Sequence, residues 1–310
     1  MSRPLSYWLT GGPSIMFKRM MELQGCYTAL VTPFRNGAVD YDALRRLVEE
    51  QVAGGVAGLV PVGTTGESPT LDHEEHIKVI EAVVAAVAKR CQVIAGTGAN
   101  ATAEALDLTR RAAQLGVDAT LQVTPYYNKP TAEGLYRHFA TIADDGGLPV
   151  VLYNVPGRAG KDIDLKTVKR LAAHPQVVAI KEAAGSVDRV SQILDCCSLT
   201  VLSGDDALTL PMMAVGATGV ISVASNILPA EVSRLVALAQ ANDWLAARQL
   251  HYRLYPLFRD LFVETNPIPI KAALAMLGTI AEEYRLPLCA ISDAGRETLR
   301  SAMRQAGLPV

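Results

Sequence analysis

The sequence predicts an α/β fold: a (β/α)8 TIM barrel with a C-terminal helical extension. Three observations predict it. From Gly25 onward, short apolar runs alternate with longer amphipathic stretches about eight times in series. The apolar runs are nearly continuous, as in parallel strands covered on both faces. After Ala239 the strands stop, and only helical patterns follow. An open doubly wound sheet is the second choice, because it uses fewer strands per domain.

Taken in order, Cys26–Val31 reads as the first strand, stopped by Thr32-Pro33. Tyr41–Val52 is an amphipathic helix closed by Gly54-Gly55. Gly58–Val62 is the second strand. Asp72 opens a long helix, with Glu75 in the capping-box position three residues on. Further strands are expected at 92–95, 119–123, 150–153, 177–181, 200–202 and 219–222. The intervening helices are expected at 102–114, 132–143, 165–173, 187–194, 207–215 and 229–239. Helices at 243–262, 267–277 and 293–306 form the extension. Residues 25–240 are thus assigned to the barrel and 241–310 to the helical region. Residues 1–24 look unlike the rest: Gly11-Gly12-Pro13 breaks them, and Lys18 and Arg19 interrupt their apolar residues. They lack a signal-peptide core and read as a flexible extension or an upstream start ahead of Met16, Met20 or Met21.

Bulk properties narrow the function. Lys+Arg total 29 against 31 for Asp+Glu, with no basic run, so neither nucleic acid nor an anionic membrane is an expected partner. No apolar run reaches membrane-spanning length. The five cysteines (Cys26, Cys91, Cys196, Cys197, Cys289) show no metal spacing and read as reduced cytoplasmic thiols. Cys196-Cys197 reads as packing at a helix end.

In a barrel of this type, chemistry collects at the C-terminal ends of the strands. Those ends carry Gly63-Thr64-Thr65-Gly66-Glu67-Ser68, Gly96-Thr97-Gly98, Thr124-Pro125-Tyr126-Tyr127-Asn128, Tyr153-Asn154-Val155-Pro156-Gly157-Arg158, Lys181-Glu182 and Ser203-Gly204-Asp205-Asp206. Neither glycine-rich turn fits a P-loop or a dinucleotide fingerprint. Lys181 stands at the end of an apolar run. A buried ammonium without a partner tends to lose its proton, and the neutral amine can form an imine with a carbonyl. The alternative is a lysine that snorkels to water. Tyrosines can relay protons, and an arginine can fork onto a carboxylate. His73 and His76 share a helix face, but His73-Glu74-Glu75-His76 is not H-E-x-x-H, so no metal site is expected.

These motifs, with Gly219–Asn226 and Asn266–Lys271, resemble the 4-hydroxy-tetrahydrodipicolinate (dihydrodipicolinate) synthases of the class I pyruvate aldolase and N-acetylneuraminate lyase superfamily. The resemblance runs from about Gly25 to the C-terminus. It implies condensation of pyruvate with L-aspartate 4-semialdehyde, a lyase step of diaminopimelate and lysine biosynthesis, with no cofactor or metal. It implies Lys181 as the imine-forming lysine and Tyr153, Thr64 and Tyr127 as a proton relay, with Tyr127 reaching in from a neighbouring subunit. Thr64 and Thr65 would hold the pyruvate carboxylate, Arg158 the aldehyde's carboxylate, and Ile221 would present a backbone carbonyl near the lysine. Feedback by L-lysine would use Ser68, Pro69, His73, His76, Asn100, Glu104 and Tyr126. A homotetramer, as a dimer of dimers, is expected. Ala159 stands where these synthases usually have threonine, and Pro69 where alanine is common. Two alternatives keep Lys181: an aldolase for N-acetylneuraminate or 2-keto-3-deoxygluconate, and a non-catalytic keto-acid-binding relative.

Overall fold

Eight parallel strands close into a barrel in the computed structural model, which describes residues 21–310. They are β1 (Gly25–Ala29), β2 (Gly58–Val60), β3 (Gln92–Gly96), β4 (Ala119–Val123), β5 (Val150–Asn154), β6 (Val177–Glu182), β7 (Thr200–Ser203) and β8 (Gly219–Ser222). Each strand pairs with its neighbours in sequence, and β8 closes on β1 through Cys26↔Val220 and Tyr27↔Ile221. Each strand is followed by a helix: α1 (Tyr41–Ala53), α2 (His73–Val87), α3 (Thr102–Gln114), α4 (Ala132–Asp145), α5 (Leu165–Ala172), α6 (Val187–Cys196), α7 (Thr209–Ala214) and α8 (Pro229–Gln240). The extension adds α9 (Trp244–Asp260), α10 (Ile268–Met276) and α11 (Asp293–Gln305). The expected elements are all present, with ends shifted by a few residues.

Local chemistry fixes the helix starts. Asp72 accepts from Glu75 N, and Glu75 reaches back to Asp72 N, completing the capping box of α2. Asp40, Thr131, Asp164, Ser186, Asp243 and Ser292 cap six other helices in the simpler way, by accepting a backbone N–H. One element is new relative to the sequence reading: a hairpin of Phe34–Arg35 with Ala38–Val39. Its two turn residues, Asn36 and Gly37, both take positive φ (54° and 81°).

Two apolar clusters follow from the two-residue period of the strands. One fills the barrel, with Tyr27, Val60, Ile94, Leu121, Tyr153, Ala179, Leu202 and Ile221 among its members. The other lies between barrel and helices and includes Leu59, Val93, Ile180 and Val220. Ala179 points inward and Ile180 outward, so Lys181 points inward and Glu182 outward. Leu23 joins the inner cluster, and its carbonyl accepts from Thr218 Oγ1 at 2.8 Å, so the chain is tied to the barrel floor just before β1. The remainder of the expected 1–24 extension lies largely outside the described residues. Among the described residues, no helix is long and apolar enough to cross a membrane. Cys196 and Cys197 end α6, both thiols directed at the Ile193 carbonyl.

Candidate active site

Register places the central pair. Tyr153 of β5 is the partner of Lys181 of β6, so both side chains enter the barrel mouth side by side. Lys181 is 6% exposed, and its Nζ lies 4.2 Å from the centre of the Tyr153 ring. Among the described residues no carboxylate pairs with it in a salt bridge. Gly204 makes room for the chain: a Cβ there would stand 3.0 Å from Lys181 Cε and 2.7 Å from Ala183 Cβ. A side chain at 204 would crowd Ala183 and the end of the lysine.

A cavity of about 150 Å³ opens at this point. Thr64, Thr65, Tyr153, Arg158 and Lys181 line it, together with Asp205, Val223, Phe262 and Asn266. Five residues expected from the sequence are therefore brought together. Thr64 and Thr65 follow Val62, a β-branched residue held at φ 54°, and precede Glu67 at φ 55°. Such conformations cost about 1–3 kcal/mol each and persist where the surroundings enforce them. Arg158 sits on a single helical turn, Pro156–Ala159, and donates to the Asn266 carbonyl at 3.0 Å.

Two expected residues are not in this cavity. Tyr127 is 90% exposed, with φ 71°, and its ring lies outside the site within one copy of the chain. Ile221 is buried in the inner cluster, and Val223, two residues further on, lines the cavity instead.

Glu182 points outward beneath the rim. Asn154 Nδ2 donates to both its oxygens at 3.1 Å, and Ala184 N donates to Oε1 at 2.8 Å. Burial holds its pKa above the usual carboxylate range. Asp206 is also buried, with a raised pKa from the same cause, and its Oδ2 accepts from Val223 N and Ala224 N at 3.0 Å each. It thereby ties the end of β7 to the end of β8.

A second, larger cleft of about 580 Å³ lies on the other side of the Gly63–Ser68 loop. Its walls include Ser68, Pro69, His73, His76, Glu104 and Tyr126. Asn100 stands behind it and donates to the Tyr126 carbonyl at 3.4 Å. His73 Nε2 meets Glu104 at 3.0 Å. His76 Nε2 lies 2.8 Å from the Gly96 carbonyl, so that nitrogen carries the proton and Nδ1 is left as an acceptor. Burial pushes its pKa down to about 4, so the ring is neutral at ordinary pH.

The sequence reading gave no role to Asn266, Phe262, Asp205 or Gly204. Asn266 and Phe262 come from the extension and reach the rim only through the fold. Asn266 stands inside the motif Asn266–Lys271, and Gly204 and Asp205 inside Ser203–Asp206, and those motifs are the available signal.

A family model described as "Dihydrodipicolinate synthetase family" matches residues 22–306. The 4-hydroxy-tetrahydrodipicolinate synthase of Pelobacter propionicus is 53% identical over 287 residues, covering 92% of this chain and 99% of that protein. The solved structure of the corresponding synthase from Methylacidiphilum fumariolicum SolV is 52% identical, with a TM-score of 0.91 over 92% of this chain and 96% of that one. A synthase from Cyanidioschyzon merolae, solved with lysine bound, is 42% identical, with a TM-score of 0.89 over 92% and 99% of the two chains. The chain belongs to the dihydrodipicolinate synthetase family.

Proposed function

We propose that this chain condenses pyruvate with L-aspartate 4-semialdehyde through an imine on Lys181, giving 4-hydroxy-tetrahydrodipicolinate. One observation carries the reading: a buried lysine, stacked on a tyrosine, shares a small cavity with two threonines and an arginine. The activity of the named relatives supports it.

In this reading Lys181 Nζ attacks the keto carbon of pyruvate, and water leaves as the imine forms. Tyr153 carries the protons, passing them to Thr64 and to Tyr127 of a second copy. General acid–base help of this kind is worth about 10²–10⁴-fold. The hydroxyl and backbone groups of Thr64 and Thr65 hold the pyruvate carboxylate, and the Ile221 carbonyl faces the lysine. Loss of a methyl proton gives an enamine, whose carbon attacks the aldehyde. The substrate's own amine then attacks the imine carbon, breaks the bond to Lys181 and closes the ring. Arg158 binds the carboxylate of the aldehyde. The role of Tyr127 requires at least a dimer, and we infer a tetramer built from two such dimers.

Arg158→Ala should raise KM for aspartate 4-semialdehyde by roughly 10–100-fold, the loss expected for a charge-assisted hydrogen-bonded pair. Borohydride trapping of pyruvate should survive in that variant. Wild-type enzyme should be assayed beside N-acetylneuraminate and 2-keto-3-deoxygluconate. Preferential turnover of either sugar acid would replace the synthase reading with an aldolase one.

We also infer that the larger cleft takes L-lysine. Glu104 and the neutral His76 suit an ammonium and a hydrogen-bonding partner, and the Cyanidioschyzon merolae relative was solved with lysine bound. Millimolar L-lysine should slow turnover, and Glu104→Gln should raise the half-inhibiting concentration by about tenfold. Turnover indifferent to lysine in the wild type would remove this part of the reading.

A further inference from the structure

We propose that Asn266 is a positioning residue that orients both carboxylate-binding groups of the site. This rests on the reading above, in which Thr65 holds pyruvate and Arg158 holds the aldehyde.

Asn266 lies on the loop entering α10, far along the chain from either group. Its side-chain Nδ2 donates to Thr65 Oγ1 at 3.0 Å, and its main-chain carbonyl accepts from Arg158 at 3.0 Å. A threonine hydroxyl has one proton and two lone pairs. With a lone pair occupied by the Asn266 N–H, the proton is left to point at a carboxylate in the cavity. The reverse amide orientation would take that proton and turn a lone pair toward the anion. Thr65 and Asn266 are 3% and 5% exposed, so bulk water does not compete for either group.

A further observation fits this orientation. Among the described residues, Asn266 Oδ1 is buried with no hydrogen-bond partner. The loop is also held from both ends. Five residues beyond Asn266, Lys271 pairs with Glu67 at 2.5 Å, and Glu67 is two residues beyond Thr65. The extension therefore reaches the active-site loop through Asn266, Lys271 and the backbone N–H of Arg285.

The test compares two variants by the pyruvate concentration that gives half-maximal borohydride-trapped adduct. Asn266→Asp keeps the shape but replaces the donor with an acceptor. It should raise that concentration by about tenfold or more, and by more than Asn266→Ala does. Because aspartate also adds a negative charge beside the anion site, the deciding comparison is Asn266→Ala with and without the Thr65 hydroxyl. In a Thr65→Val background, which has no hydroxyl to orient, Asn266→Ala should add little further loss for pyruvate. An Asn266→Ala effect as large in that background, or the reversed order of the two variants, overturns the assignment. The wild type in the same assay separates the two levels. If it forms no adduct, the imine reading fails and the positioning role falls with it. If it does and the order is reversed, only the role of Asn266 fails.

Discussion

Lys181→Ala incubated with pyruvate and borohydride should show no mass increase, while the wild type gains a reduced pyruvate adduct at that residue. Turnover should fall on the order of 10⁴-fold or more, because removal of a covalent nucleophile leaves only binding and polarisation by the other groups. The fold should survive. Lys181 is 6% exposed and makes no salt bridge among the described residues, so its removal strands no buried counter-charge. Its contact with the Tyr153 ring, 4.2 Å from Nζ to the centre, is the interaction lost. One such contact is small beside the roughly 5–15 kcal/mol by which domains are stable. Circular dichroism and thermal melting close to wild type, with no adduct, is the expected pair of results. A trapped adduct in the variant would move the imine to another amine and undo the mechanism at its first step.

The barrel was legible because its signals are local and repeat. A run such as Val150-Val151-Leu152 cannot face water on either side, and eight such runs in series admit few architectures. The rim was legible for the same reason: strand ends are identifiable in sequence, and chemistry gathers there. Lys181 and Tyr153 could be listed as candidates from their positions, but only the β5–β6 register makes them neighbours. The Phe34–Val39 hairpin had a readable signal in Asn36-Gly37, which the sequence reading passed over. Asn266 is different. No periodicity or spacing connects it to Thr65, 201 residues away, and the link exists only once the extension docks. Tyr127 marks the other limit, since its side chain is 90% exposed in one copy and the role proposed for it needs a second.

Lys271→Met should be the most destabilising single change in the extension. Lys271 and Glu67 both have wholly buried side chains, and Nζ sits 2.5 Å from Oε1. The ammonium also lies 4.2 Å from the centre of the Phe34 ring and 5.2 Å from that of Tyr284. Burial lowers the Lys271 pKa, an effect opposed by the Glu67 carboxylate beside it. Removing one member leaves the other charged and dry, a change that costs about 3–5 kcal/mol. That is a large share of the roughly 5–15 kcal/mol by which domains are stable. Glu67 matters beyond stability because its second oxygen accepts from Arg285 N at 3.3 Å, and Arg285 in turn grips Glu75 of α2 at 2.6 and 2.7 Å. Both oxygens of Glu67, in the strained loop that carries Thr64 and Thr65, are thus held by the extension, which Arg285 in turn pins to α2. Urea denaturation should show the loss for Lys271→Met, and Glu67→Gln with Lys271→Met should recover part of it, since no unpaired charge then remains. Displacement of the loop would also be felt in turnover. At a temperature where Lys271→Met is still folded, kcat/KM for pyruvate should fall by about tenfold or more, because a loop displaced by even 1 Å misplaces its donors. A variant that loses stability but keeps kcat/KM would show that the pair supports the barrel and not the geometry of Thr64 and Thr65.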